Sequence, residues 1–280
     1  MRSFSQRKKV GLFLGLASFV FATTGVNAQD CTPKHQFKTV EQGFLTIAAP
    51  TFPPFSTPVS DSDITGVDGE IVKAIAAGEC LKIKVAPVEY ATAIPYVVSG
   101  RADIAIGNYY RTEERAKVVG ISDPLYLDEM GIYSKDGVSK IADLVDRNVG
   151  TVQGYLWVND LKAVLGSKLR LYNNYVALYQ DLDTGRIDVG IDGVAVGTAA
   201  QKDGALQGIQ IKVAEKDDRV KSSVEAAQSG LMLSKENTEL MTAVNAGLAG
   251  IRSSGKLVEI LKQFGLSESA ADVGEARMVK

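Results

Sequence analysis

Apolar and polar residues follow the same order in two segments that begin 85 positions apart, residues 99–106 and 184–191. Each segment ends a helical pattern at a glycine, continues with Arg-x-Asp, and enters a short apolar run. Glycine is common after a helix because it adopts the left-handed cap conformation without a Cβ penalty. An uninterrupted apolar run is typical of a strand buried on both faces. The spacing is too long for a solenoid repeat and predicts two α/β lobes of similar build.

Strand and helix patterns alternate along most of the chain, which favours parallel α/β sheets. The predicted strands cover residues 44–49, 83–88, 103–106, 149–153, 168–172, 187–192 and 230–233. The predicted helices cover residues 69–78, 92–99, 112–118, 156–165, 175–184, 237–252 and 256–264, with Asp68 expected as the N-cap of the first. Ligands of open parallel sheets bind beyond the carboxyl ends of the strands. Asn108 and Asp192 are therefore expected on opposite walls of one cleft.

The first 28 residues have the layout of a secretory signal peptide, with cleavage after Ala28. A basic start precedes the uncharged apolar run 10–22, and the small-x-small triplet 26–28 follows it. A membrane-spanning helix is the alternative, but the run is shorter than the roughly 20 residues that a bilayer requires. Cleavage removes four basic residues, leaves 27 basic against 33 acidic ones, and changes the net charge from −2 to −6. This charge gives no electrostatic reason to bind nucleic acid or an anionic membrane.

The chain contains two cysteines, Cys31 and Cys80, and both lie in the exported part. Disulfides form in oxidising compartments, so a bridge between the two is expected. Two unpaired thiols are the alternative.

Arg115 stands at an unusual position. Thr112 as N-cap places Glu113, Glu114 and Arg115 in the first helical turn, where the helix dipole favours anionic side chains. An arginine there indicates a bound anion, with which a charge-assisted contact contributes roughly 1.5–3 kcal/mol. The alternative is a solvated arginine that pairs with Glu113 or Glu114.

Aromatic residues cluster near the predicted strand ends and can stack on planar groups or contact cations. They are Phe52, Phe55, Tyr90, Tyr109, Tyr110, Tyr155 and Trp157. For each of them, packing in the core is the alternative. His35 is the only histidine, so neither a tetrahedral zinc site nor a Ser-His-Asp triad is expected. Without nucleotide-binding glycine motifs, no cofactor is expected, and nothing in the sequence requires catalysis.

An ordered series of motifs resembles the polar amino-acid-binding proteins of bacterial ABC importers, solute-binding protein family 3. The matching segments are 53–55, 66–71, 94–105, 112–116, 122–124, 149–150, 185–188, 255 and 264–265. The resemblance implies a type 2 periplasmic binding protein fold of class α/β. Each lobe is then a mostly parallel sheet with flanking helices, and the second lobe is inserted in the first. The expected division is a first lobe at 29–133 and 228–266, a second lobe at 134–227, and a disordered polar tail at 267–280.

The resemblance also implies roles for particular residues. Arg115 matches the arginine that clamps the ligand's carboxylate, and Phe52 and Tyr90 match an aromatic pair that sandwiches the ligand. Asn108 falls where a backbone carbonyl accepts from the ligand's ammonium group. Tyr110 stands where the family commonly has Ser or Thr, and Tyr155 where a Thr follows the glycine matched by Gly154. The family's ammonium-binding aspartate falls at Gly193, one position after Asp192. Carboxylate recognition is thus expected, whereas the usual α-ammonium partner is missing; the alternative is that Asp192, at the strand end, turns into the cleft and restores ordinary amino acid binding.

The expected function is that of a monomeric, non-catalytic periplasmic receptor. It would capture an amino acid or an amino-acid-like carboxylate and deliver it to an inner-membrane ABC permease. The alternative is an exported lyase on the same fold that resembles cyclohexadienyl dehydratase, with Asp192 or Glu70 as general acid. A receptor returns its ligand unchanged, which distinguishes the two. A sensor domain is a third possibility, although no membrane-spanning or signalling segment follows.

Overall fold

The computed structural model describes Met1 and residues 31–279. The predicted signal peptide, apart from Met1, lies outside the described residues. From Thr32 onward the described chain forms one compact unit. Within the described residues, no helix has the length and apolar character required to cross a bilayer.

All predicted helices and strands are present, with ends shifted by a few residues. In the part of the chain that it describes, the structure adds a helix at Val194–Lys202 and seven strands that the pattern did not predict. The strands are β1 (Phe44–Ala49), β2 (Thr57–Ser60), β3 (Asp63–Thr65), β4 (Lys82–Pro87), β5 (Ile104–Ala105), β6 (Gly120–Ile121), β7 (Leu127–Asp128), β8 (Met130–Ser134), β9 (Val149–Val152), β10 (Leu169–Tyr172), β11 (Val189–Gly193), β12 (Gln210–Val213), β13 (Ala227–Gln228) and β14 (Met232–Leu233). The α-helices are α1 (Val67–Gly78), α2 (Tyr90–Val98), α3 (Glu113–Val118), α4 (Val158–Leu165), α5 (Tyr175–Asp183), α6 (Val194–Lys202), α7 (Thr238–Ser253) and α8 (Lys256–Gln263).

Two five-stranded sheets of the same design form the lobes. Their strand orders are β4-β1-β5-β14-β6 and β10-β9-β11-β8-β12. In each sheet the first three strands run parallel to one another. The fourth strand pairs antiparallel with both the third and the fifth. The two repeated Gly-Arg-x-Asp segments lead into β5 and β11, the middle strands of the two sheets. The two-lobed α/β prediction is confirmed, and both sheets are mixed, with two parallel and two antiparallel pairings each.

The chain passes between the sheets through the crossing pair, which consists of β7 and β13. These strands pair antiparallel, with Leu127 opposite Gln228 and Asp128 opposite Ala227. The predicted lobe boundary at 133/134 falls inside β8, whereas the structure places all of β8 in the second sheet. Every residue of β8 is buried, and in the sequence only the acidic pair Asp128 and Glu129 precedes the strand at the change of lobe. Helices α7 and α8, which follow β14, pack against α1 of the first lobe.

The prediction that Asp68 caps α1 is wrong, because Gly66 is the N-cap residue. The Asp68 side chain is buried and reaches the loop after β5. Its Oδ2 accepts hydrogen bonds from the backbone N–H groups of Gly107 (2.9 Å) and Asn108 (2.8 Å), and its Oδ1 accepts from the Tyr126 hydroxyl (2.6 Å). Burial raises the pKa of Asp68 while these donors oppose the rise. Asp68 therefore holds the segment that carries Asn108.

Gly66 is expected to be intolerant of substitution. Its φ is +109°, and a Cβ there would lie 2.4 Å from the backbone oxygen of Phe55. Gly66→Ala should therefore lower the free energy of unfolding by on the order of 3 kcal/mol. Gly100→Ala is the matched control, because Gly100 also has positive φ (+69°) but open space around its Cβ position. Urea unfolding curves that show equal losses for the two variants would contradict the steric argument.

The C-terminal segment differs from the disordered tail expected for 267–280. Gln228 of β13 donates from its side chain to the backbone oxygen of Glu275 at 2.7 Å. The N–H of Val279 donates to the oxygen of Arg111 at 2.9 Å. These contacts use backbone groups, so apolar periodicity in the sequence could not reveal them.

Cys31 and Cys80 are both disulfide-bonded. Because the chain contains two cysteines, the expected bridge between them is confirmed.

Candidate functional site

The carboxyl ends of the parallel strands from both sheets border one narrow cavity between the lobes. Its volume is about 10 Å³, room for about one water molecule, so a ligand can enter only if the lobes separate. Seven of the eight ligand-binding residues expected from the sequence line it. The eighth, Gly154, accepts a hydrogen bond from Arg115, which is one of the seven. The lining residues are Phe52, Tyr90, Asn108, Tyr110, Arg115, Tyr155, Leu156, Trp157, Asp192 and Gly193.

The first lobe contributes residues from the loops after its three parallel strands. Phe52 follows β1, Tyr90 begins α2 after β4, and Asn108 and Tyr110 follow β5. Arg115 lies in α3, whose predicted N-cap is confirmed, because the Thr112 hydroxyl accepts from the Arg115 N–H at 3.0 Å. Because these residues follow the carboxyl ends of parallel strands, their side chains lie at the same edge of the first sheet.

The second lobe contributes the equivalent positions of its own sheet. Gly154 and Tyr155 follow β9, and Trp157 precedes α4. Asp192 and Gly193 are the last residues of β11. The cleft therefore combines the loop after β5 with the end of β11, as the repeated segments predicted.

The Arg115 guanidinium bridges the two lobes. Its Nη1 donates to the backbone oxygen of Tyr110 at 2.7 Å, and its Nη2 donates to that of Gly154 at 3.1 Å. The guanidinium carbon also lies 5.2 Å from the centre of the Tyr109 ring. Among the described residues Arg115 forms no ion pair, so the alternative pairing with neighbouring glutamates is not observed. Two of its five N–H groups bind these carbonyls, and the others remain for an anion.

Aromatic rings form most of the cavity wall. Phe52 contacts Tyr90 with ring centres 5.4 Å apart and Tyr155 at 5.8 Å. Tyr90 lies 4.8 Å from Tyr155, which in turn lies 5.3 Å from Trp157. These edge-to-face and tilted arrangements are favourable for aromatic pairs. The rings are buried, yet they belong to the cavity wall and join the two lobes.

Asp192 lines the cavity and is fully buried. Its Oδ1 accepts from the Gly193 N–H at 2.8 Å, and its Oδ2 accepts from the Tyr179 hydroxyl at 2.9 Å. Burial raises the pKa of Asp192 to about 7, although these hydrogen bonds favour the charged form. The negative charge of Asp192 and burial together raise the pKa of Tyr155, with burial the larger cause. The Tyr155 hydroxyl itself makes no well-formed hydrogen bond.

The Asp192 carboxyl is expected to make stability depend on pH. A folded-state pKa near 7, above the ordinary 3.8, stabilises the folded protein below about pH 4. This contribution is lost as the pH rises through 7, by about 1.4 kcal/mol per pKa unit. Asp192→Asn should therefore unfold with a free energy that declines less between pH 4 and 8 than that of the wild type. Urea titrations that give parallel pH profiles for the two proteins would contradict this expectation.

Asp128 is a site residue that the sequence did not indicate. It is buried on β7, and its Oδ2 accepts from Asn108 Nδ2 at 2.6 Å and from the Tyr110 hydroxyl at 2.9 Å. Burial raises the pKa of Asp128 to about 6, while these donors oppose the rise. A two-residue strand carries no periodicity, and the only signal in the sequence is the adjacent acidic pair Asp128 and Glu129 within the mostly apolar positions 125–134.

A roomier cavity, with a volume of about 420 Å³, also borders Asp128. It is lined by α6 and by residues 264–270, and it contains neither the bridging arginine nor the aromatic wall. Convergent polar groups mark binding sites more specifically than size does, so the narrow cleft is the candidate site. Within residues 31–279, no group of three or more His, Cys, Asp or Glu side chains is placed to hold a metal ion.

Two similar α/β lobes joined by two strands, with a cleft at the strand ends, define a type 2 periplasmic binding protein. Residues 45–267 match the family model of bacterial extracellular solute-binding proteins, family 3, and the chain belongs to this family. The L-cystine-binding protein TcyJ of Escherichia coli (strain K12) is 28% identical over 81% of this chain and 84% of its own length. A structure of an ancestral arginine-binding protein bound to arginine has a TM-score of 0.70 and 28% identity, covering 80% of this chain and 99% of that one.

A further solved structure, the ancestral amino acid-binding protein AncCDT-1, a precursor of cyclohexadienyl dehydratase, has a TM-score of 0.68. It is 23% identical and covers 79% of this chain and 95% of that one, so it bears on the fold alone. The resemblance deduced from the sequence motifs is thus confirmed at the level of the family.

Proposed function

We propose that this protein is a non-catalytic extracytoplasmic receptor for an amino acid or an amino-acid-like carboxylate. The observation that carries the proposal is the Arg115 guanidinium, which contacts both lobes at a cavity between them. A carboxylate bound to its remaining N–H groups would be held by both lobes at once. Such a contact couples ligand binding to closure of the cleft.

The family and the similar proteins support the class of ligand. An L-cystine-binding protein and an arginine-bound structure both match this chain over four fifths of its length. The predicted signal peptide and the disulfide support export, and we place the mature protein in the periplasm, as a monomer. Delivery of the ligand to an inner-membrane ABC permease follows from the same family relationship.

The arrangement of acids does not favour the lyase alternative. Glu70 pairs with Lys73 at 2.7 Å on α1 and does not line the cavity. Both Asp192 oxygens accept hydrogen bonds from neighbouring groups. The only histidine, His35, contacts Glu79 at 2.8 Å, away from the cavity. Asp192 lines the cavity with a pKa of about 7, but no second Asp, Glu, His or Lys lines it, so a pair of general acid and general base is not assembled there.

Mass spectrometry of small molecules released from the purified mature protein tests the proposal directly. We expect an amino acid or related carboxylate, which calorimetry should then show to bind reversibly. Incubation with catalytic amounts of protein should return this ligand chemically unchanged. A ligand without a carboxylate, or its conversion to a product, would contradict the proposal.

A further inference from the structure

The cluster of Asn108, Tyr110 and Asp128 lies between the cleft and the crossing pair. Asp128 receives hydrogen bonds from the other two side chains, both of which line the cavity. The backbone N–H groups of Glu129 and Ala195 also stabilise its charged form. The two side-chain donors both bind Oδ2, so a ligand's ammonium group would have to displace them to reach this oxygen.

Gly193 brings this carboxylate to the wall of the cleft. A Cβ at position 193 would lie 2.6 Å from Asp128 Oδ2. The Asp128 carboxylate thus fills the space that a side chain from the end of β11 would need to enter the cleft. The neighbouring Asp192 is bound by Gly193 and Tyr179 within the second lobe.

Two polar atoms of cavity-lining residues make no well-formed hydrogen bond, Asn108 Oδ1 and the Tyr155 hydroxyl oxygen, although the Tyr155 hydroxyl lies near Asp192. Asn108 is 4% exposed and Tyr155 is 6% exposed. Because Asn108 Nδ2 must donate to the ionised Asp128, Oδ1 is fixed as the acceptor end of this amide. The hydroxyl of Tyr155 can donate. A buried polar atom without a hydrogen bond is unfavourable. A ligand would relieve this cost by offering a donor to Asn108 Oδ1 and an acceptor to the Tyr155 hydroxyl.

From this arrangement we propose that the cleft selects carboxylates whose nitrogen is an uncharged amide, such as N-acylated amino acids. The inference rests on the proposed receptor function. The carboxylate binds Arg115, the amide N–H donates to Asn108 Oδ1, and the acyl oxygen accepts from the Tyr155 hydroxyl. Asp128 is a positioning residue that orients Asn108. A free ammonium group would meet carboxylate oxygens of Asp128 and Asp192 that already accept hydrogen bonds from the protein, and burying it without a carboxylate of its own is costly. The planar amide also suits a wall of aromatic rings.

Matched ligand pairs test the selectivity. The twenty L-amino acids and their Nα-acetyl derivatives are screened by thermal shift, and the pairs that bind are measured by calorimetry. We expect the acetylated member to bind at least about tenfold more tightly. Tighter or equal binding of the free amino acids would overturn the inference and leave the proposed function standing. Binding of neither member of any pair would overturn it as well, and a released ligand without a carboxylate would overturn both.

Two variants separate recognition from structure. Tyr155→Phe removes only the hydroxyl and should weaken binding of the best acetylated probe about tenfold. Tyr96→Phe, a tyrosine outside the cavity, should leave that affinity unchanged. In Asp128→Asn, residue 128 no longer requires Asn108 to donate, so the Asn108 amide can present either end to the ligand. The ratio between the affinities for the acetylated and the free amino acid of a pair should therefore fall towards one. Asp128→Asn with an unchanged ratio, or Tyr155→Phe with an unchanged affinity, would contradict the assigned roles.

Discussion

Arg115→Ala is expected to weaken ligand binding by about 100-fold or more, while the unfolding temperature of the protein without ligand changes little. Truncating one partner of a buried charge pair costs about 2–5 kcal/mol, much of it because the other charge stays buried and unpaired. Here the partner charge belongs to the ligand, so the free protein does not carry the penalty. The two backbone contacts of Arg115 add a link between the lobes that the variant also loses.

The measurement is isothermal calorimetry with the ligand that mass spectrometry identifies. Arg101→Ala is the matched control, because Arg101 lies outside the cavity, with its guanidinium 4.1 Å from the Tyr96 ring centre. Arg115→Lys keeps the charge but not the fork-shaped set of donors, and we expect an intermediate affinity. An unchanged dissociation constant for Arg115→Ala would show that this side chain does not hold the ligand.

Loss of the Cys31–Cys80 bridge is expected to lower the free energy of unfolding by about 4 kcal/mol, for a closed loop of roughly 50 residues. The bridge restricts the unfolded chain, so its removal favours the unfolded state without requiring a change in the cleft. Guanidinium titrations of the wild type with and without reductant should differ by this amount. The Cys31→Ser/Cys80→Ser variant should match the reduced wild type and should not respond to reductant.

Alkylation before reduction should modify no thiol of the mature wild-type protein, as intact mass spectrometry would show. Two alkylated cysteines in the non-reduced sample would contradict the bridge in the exported protein. Equal stability of the oxidised and reduced forms would contradict the estimated contribution.

The sequence predicted the parts of the fold that depend on local signals. The glycine stops and apolar runs located β5 and β11, and the N-cap at Thr112 located α3 with Arg115. These signals were sufficient to bring Asn108 and Asp192 to one cleft. The family resemblance added Phe52, Tyr90, Gly154 and Tyr155, which the structure places at the cavity or in contact with Arg115.

The parts that the sequence did not predict depend on contacts between distant segments. Asp128 acquires its role from Asn108 and Tyr110, some 20 positions earlier, and its own strand is too short to show a period. Asp68 looked like a helix cap, but it is used to bind a loop 39 positions away. The change of lobe near residue 128 is marked in the sequence only by the acidic pair Asp128 and Glu129, which is too short a signal to define a boundary.

The contact between the C-terminal segment and the start of α3 has a practical consequence for protein engineering. The oxygen of Val279 accepts from the N–H of Glu113 at 3.0 Å, two residues before Arg115. A fluorescent dye attached at position 279 would therefore lie beside the segment that carries Arg115 and beside the crossing pair. Its emission should report ligand capture without further labelling, which makes this position suitable for a biosensor. A bulky purification tag would disturb the same contact and is better placed elsewhere.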